Sequence, residues 1–127
     1  MKTIEVVAAV IKDGNKILAT QRGYGDYKGF WEFPGGKVEK DEPFKEALKR
    51  EIKEELNASI EVYDLVKTIE YDYPNFHLIM HCYLCEFTSE IKLLEHLDFR
   101  WLDKNTLYDV KWLEADIGVL KEIEKIL

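Results

Sequence analysis

Residues 4–12, IEVVAAVIK, restrict the fold of this chain more than any other stretch. The segment is β-branched and apolar almost throughout, so a strand built from it presents apolar side chains on both faces. Such a strand must lie inside a sheet, with cover above and below. KDGN follows as a turn, and KILAT reads as the returning strand of a hairpin. Residues 21–31, QRGYGDYKGFW, read as a glycine-rich loop; WEF resumes a strand briefly and PGG ends it. Residues 60–72 and 76–88 read as two more strands joined by the turn DYPNFH, and FRWL as another short one.

Two helices cover the sheet in this reading. The first has Pro43 in its opening turn and runs to about Leu56, with Asn57 as a left-handed stop residue. The second is the tail EADIGVLKEIEKIL, where Ile117, Leu120, Ile123, Ile126 and Leu127 recur at helical spacing. The expectation is an α/β fold, a mixed β-sheet sandwiched between helices, in a single domain spanning residues 1–127.

A formal charge of −7 argues against a nucleic acid polymer or an anionic membrane as partner. It leaves room for a small anion that arrives with a metal cation. The apolar runs fall short of the roughly 18 residues of a membrane helix, and MKTIEVVAAVIKDG reads as a first strand, so the expected location is cytoplasmic. Cys82 and Cys85 sit three apart on a strand and point to opposite faces, so they are expected to be reduced and packed. His77, His81 and His96 lack metal spacing with one another and read as structural.

The first helix carries acids where apolar packing is due. At about 100° per residue, Glu51 and Glu55 fall within about 20° of Phe44, and Glu54 within about 80°, on or beside the arc that Ala47 and Leu48 use for packing. Lys45, Lys49, Lys53 and Arg50 fall on the wet side. Two carboxylates about 4 Å apart repel by roughly 4 kcal/mol at an effective dielectric of 20. Either some acids hold protons or a hard cation sits among them, and oxygen-only donors suit Mg²⁺ or Mn²⁺.

The spacing Gly36, five residues, Glu42, seven residues, then REIKEEL from Arg50 to Leu56 resembles the Nudix box of the Nudix hydrolases. EFPGGKVE, IEYDYPNFH and the RWL strand resemble the MutT-like branch, and the likeness covers most of the chain. Asn57 stands where the family usually has glycine. The resemblance implies the Nudix α/β/α sandwich and metal-dependent hydrolysis of a nucleoside diphosphate linked to another group.

It also implies roles for individual residues. Glu51, Glu54 and Glu55, with the Gly35 carbonyl, would be metal ligands; Glu95 would be another, or a plain loop charge. Glu54 or Glu51 would act as general base. Arg50 would orient the metal-binding Glu51, and Glu42 would cap the helix start or lie near the metals. Lys37 would neutralise a leaving phosphate and Arg22 contact phosphate, or both would be merely solvated. Asp116 matches a base-reading position and equally suits a helix N-cap. Phe33, Tyr73 and Phe76 are candidates to line a base pocket.

An ionised Asp only accepts hydrogen bonds, which shifts weight toward the cytosine amino group. The expected activity is nevertheless a Mg²⁺-dependent nucleoside triphosphate pyrophosphohydrolase, releasing monophosphate and pyrophosphate, with oxidised purines such as 8-oxo-dGTP first. CTP or modified cytidine triphosphates come second, and a nucleotide-binding module without catalysis is the alternative of another class. The assembly is expected to be a monomer or homodimer.

Overall fold

The computed structural model describes residues 1–90 and 96–127, with His96 and Leu97 described by backbone alone. Strand β1 (Lys2–Asp13) is central. β2 (Lys16–Arg22) returns antiparallel from its C-terminal end, and β3 (Trp31–Glu32) pairs antiparallel with β2. β4 (Gly35–Lys37) pairs with Val6–Ala8 of β1. On the other side of β1 lies β6 (Phe76–Phe87), parallel to it, and then β5 (Ile60–Tyr73), antiparallel to β6. β7 (His96–Leu102) pairs with β2. Among the described residues the strands form one seven-stranded sheet of order β3-β2-β1-β6-β5, with β4 on β1 and β7 on β2. The parallel β1–β6 pair among antiparallel neighbours makes the sheet mixed, as expected.

Residues 7–11 of β1 are buried on both faces. Val7, Ala9 and Ile11 join a core with Ala47, Leu48, Ile52 and Leu56 of helix α1 (Phe44–Leu56). Ala8 and Val10 join a second core with Trp31, Phe33, Tyr73, Trp112, Leu120 and Ile123. That second layer holds α2 (Glu114–Ile117) and α3 (Leu120–Glu124). Cys82 lies in one core and Cys85 in the other, both as free thiols, so the strand does send them to opposite faces. No described helix is long and apolar enough to cross a membrane.

Three local expectations change. The glycines of PGG do not end a strand; they form β4. A Cβ on Gly35 would stand 2.0 Å from the Val7 carbonyl oxygen, so only glycine lets β4 lie this close to β1. Pro43 takes the N-cap position of α1, with ψ of 142°, rather than the first turn. The tail helix breaks at Gly118–Val119, where hydrogen bonds span three residues (Gly118 N–H to the Ala115 carbonyl, Val119 N–H to the Asp116 carbonyl). The break seats Gly118 against Ile69 of β5, and it turns Ile117 outward to 46% exposure while Ala115 and Asp116 go inside. Asn57 behaves as expected, closing α1 at φ 50° and ψ 40°.

Candidate active site

β4 and α1 build one end of a cavity of about 600 Å³; β3, the β5–β6 hairpin and α2 build the other. Gly35, Gly36 and Lys37 line the first end with Glu51, Glu54 and Glu55. A Cβ on Gly36 would lie 2.1 Å from a Glu51 carboxylate oxygen, so the glycine vacates the space in which that carboxylate sits. Glu51 and Glu55 are half-buried, and Glu54 is more open, its side chain 59% exposed.

Arg50 does not stay on the wet side. Its guanidinium donates from Nε and Nη2 to the two oxygens of Glu42, at 2.8 and 2.9 Å. Nη1 donates to Glu51 Oε1 at 2.7 Å and approaches Glu54 at 3.3 Å, while Nη2 also reaches the Lys37 carbonyl at 3.1 Å. One cation thus ties Glu51 and Glu54 of α1 to Glu42 and to β4. This is a third answer to the crowding of like charge, beyond protons or a metal. The bidentate Arg50 pair, with the Glu39 N–H, draws the Glu42 carboxyl down to about 2. Glu42 makes no cap on α1, which has no side-chain cap bond. Burial pushes the Glu51 carboxyl above the ordinary range, and the Arg50 hydrogen bond works against that push.

Among the described residues, no three His, Cys, Asp or Glu side chains already form a cage for a metal ion. The donor set nonetheless suits a hard cation. Three carboxylates and a glycine backbone free of Cβ obstruction line that end, and the described lining holds no cysteine or histidine. The expected ligand Glu95 lies outside the described residues.

The far end of the cavity is apolar with a few fixed polar groups. Tyr73 stacks on Phe76 at 5.1 Å, and Tyr27 packs edge-on against Tyr73 at 5.7 Å. The Tyr73 hydroxyl accepts the Ala115 N–H at 3.1 Å. Asp116 is 4% exposed and accepts the Phe33 N–H at 3.1 Å. It lies inside α2, whose N-cap is Leu113, so the capping role is excluded. Burial raises its carboxyl to about 8, with Glu32 pushing up and the Phe33 N–H and Arg22 pulling down. Asp116 is therefore largely neutral at pH 7, against the expectation of an anion. Arg22 pairs with Glu32 at 2.8 Å on the cavity wall, so it is not merely solvated.

One cavity thus gathers Arg22, Phe33, Gly35, Lys37, Glu51, Glu54, Glu55, Tyr73, Phe76 and Asp116, with Arg50 behind its acids. The Phe33 ring is mostly spent on the core, tilted on Trp112 at 4.7 Å, and its backbone N–H is what reaches Asp116. The sequence reading missed Glu32, Tyr24 and Tyr27, which also line the cavity. A signal existed: tyrosines in a glycine-rich loop have no regular element to bury them, so a ligand wall is a natural use.

Residues 1–122 match the family described as NUDIX domain. The chain is 36% identical over 123 residues to the CTP pyrophosphohydrolase of Escherichia coli K12, covering 95% of this chain and 91% of that protein. It is 36% identical over 93 residues to the 8-oxo-dGTP diphosphatase of Proteus vulgaris, covering 71% and 83%. The solution structure of the Nudix hydrolase MutT from methicillin-resistant Staphylococcus aureus 252 superposes with a TM-score of 0.79 at 39% identity, over all of both chains. With the acid helix, the close-packed glycine strand and these matches in hand, the chain belongs to the NUDIX family and is a Nudix hydrolase of the MutT-like type.

Proposed function

We propose that this protein is a divalent-metal-dependent nucleoside triphosphate pyrophosphohydrolase that releases a nucleoside monophosphate and pyrophosphate. The observation that carries the proposal is the two-ended cavity: carboxylates from α1 at one end, aromatic rings and Asp116 at the other. Glu51, Glu54, Glu55 and the Gly35 carbonyl would hold Mg²⁺ or Mn²⁺. A bound dication neutralises phosphate charge and acidifies water. Lys37 and Arg22 flank the path between the two ends and meet the remaining phosphate charge. Glu54 is the better placed general base, being more open and more loosely held by Arg50 than Glu51 is. Arg50 orients Glu51.

Oxidised purine triphosphates such as 8-oxo-dGTP are the first choice of substrate, which makes the enzyme a sanitiser of the nucleotide pool. A neutral Asp116 has an O–H to donate as well as an oxygen to accept. It can answer the O6 and N1–H edge of an oxidised guanine, and equally the N3 and amino group of cytosine, so the charge of Asp116 gives cytosine no advantage. The wall of Tyr27, Tyr73 and Phe76 suits a flat bicyclic base. Cytidine triphosphates are the second reading, favoured by the E. coli relative matched over 95% of this chain.

Product analysis on a panel of triphosphates with Mg²⁺ tests the proposal. Monophosphate and pyrophosphate should appear, with 8-oxo-dGTP ahead of CTP in kcat/KM, and Glu54→Gln should lower kcat by at least 100-fold. If no compound is cleaved yet nucleotides still raise the melting temperature, the protein is a binding module instead.

A further inference from the structure

The β5–β6 hairpin carries Tyr73 and Phe76 at its tip, paired across the two strands, with Pro74 and Asn75 between them. One step back, Asp72 pairs with His77. Strand alternation sends Tyr73 and Phe76 to the cavity face and Asp72, Glu70 and His77 to the opposite face. There the His77 ring is held from both sides: Nδ1 lies 2.5 Å from Asp72 Oδ1, and Nε2 lies 2.9 Å from Glu70 Oε1.

An ionised carboxylate only accepts hydrogen bonds. A neutral imidazole has one N–H and one lone pair, so it can satisfy one of these acceptors and must turn its lone pair on the other. Only the imidazolium donates to both. The geometry therefore describes a clasp that is complete in one protonation state. The clasp closes the hairpin one residue from Tyr73, and the Tyr73 hydroxyl holds the Ala115 N–H beside Asp116. Its reach is thus the base end of the cavity, not the acid helix.

We propose that His77 is a positioning residue which, as an imidazolium clasped between Asp72 and Glu70, holds the Tyr73–Phe76 wall in register for the nucleotide base, so that base affinity falls as pH rises through its titration. The inference rests on the nucleotide reading given above. Among the described residues, the charged groups that act on His77 are Asp72 and Glu70, both on β5. From β1 its register partner is the neutral Thr3, and Glu5 on that face is engaged by His81 at 2.8 Å. The hydrogen bond to Asp72, then that to Glu70, raises the His77 pKa above the ordinary imidazole value.

The test compares wild type, His77→Lys and His77→Ala from pH 6 to 9. Lysine stays cationic across that range. KM for the preferred triphosphate in wild type, divided by KM in His77→Lys, should be near one at pH 6 and rise several-fold by pH 9. Titration of Asp116 is common to both proteins and divides out. His77→Ala should show a several-fold higher KM at pH 6 with kcat unchanged. A flat ratio, a His77→Lys protein no better than His77→Ala at pH 6, or a loss confined to kcat would overturn the proposal. NMR of the wild type without nucleotide gives a second readout that does not depend on turnover. The ring signals of Tyr73 and Phe76 should shift with the same midpoint as the His77 imidazole, and independent midpoints would refute the clasp. A protein that cleaves no nucleotide but shows the shared midpoint refutes the functional reading alone.

Discussion

Gly35 and Gly36 are adjacent, yet replacing them should do different things. A Cβ on Gly35 meets backbone, the Val7 carbonyl at 2.0 Å. A Cβ on Gly36 meets the end of a side chain, the Glu51 carboxylate at 2.1 Å. Gly35→Ala should therefore destabilise the fold by about 1–3 kcal/mol, the usual range for forced overpacking, as read by thermal melting. Gly36→Ala should melt within a few degrees of wild type but lose at least tenfold in kcat, because Glu51 is the group that yields. Asp116 offers a separate test. Its folded pKa of about 8 stands above the value of about 3.9 for an exposed Asp. The folded state then holds a proton that the unfolded chain releases. The stabilisation is complete below about pH 4 and is lost as pH rises through about 8, at roughly 1.4 kcal/mol per pH unit in between. Asp116→Asn should flatten that slope in melting curves taken from pH 5 to 8. The position of Asp116 was legible in the sequence. Its charge was not, because neutrality follows from complete burial by residues far away in the chain.

At the scale of elements, α1 shows how much a local pattern can tell. The apolar positions Ala47, Leu48, Ile52 and Leu56 and the stop at Asn57 all followed from spacing and residue type. Asn57 adopts φ 50°, where a Cβ-bearing residue without a short polar side chain is strained. Asn57→Ala should cost about 1 kcal/mol and Asn57→Gly close to nothing, measured by urea denaturation. The wheel failed for Arg50, since an angle on a helix places the start of a long side chain and not its head group. Arg50 bends back to Glu42, Glu51 and the Lys37 carbonyl, and those partners come together only once β4 has docked. β4 itself was hidden for a related reason. Glycine pairs read locally as a stop, whereas here they answer to a neighbouring strand. Apolar spacing continues through Gly118 and by itself describes one helix, but contact with Ile69 of β5 decides where the tail bends.

Across the whole molecule, β1 belongs to both cores at once, which is why cover on both faces of the sheet was legible from nine residues, while the mixed sheet needed the pattern of the whole chain. Ile11 is fully buried against the α1 layer. Ile11→Ala should cost about 2–5 kcal/mol. The loss should appear as one transition by both far-UV circular dichroism and tryptophan fluorescence, because neither layer keeps its core when β1 is undermined. Alternation along β1 divides its side chains: Val6, Ala8 and Val10 lean toward the aromatic layer, Val7, Ala9 and Ile11 toward α1. Consecutive residues of β1 thus pack into opposite cores of one sheet. A conservative exchange at an even position of β1 would reshape the packing of the aromatic layer without touching the side chains that pack on α1.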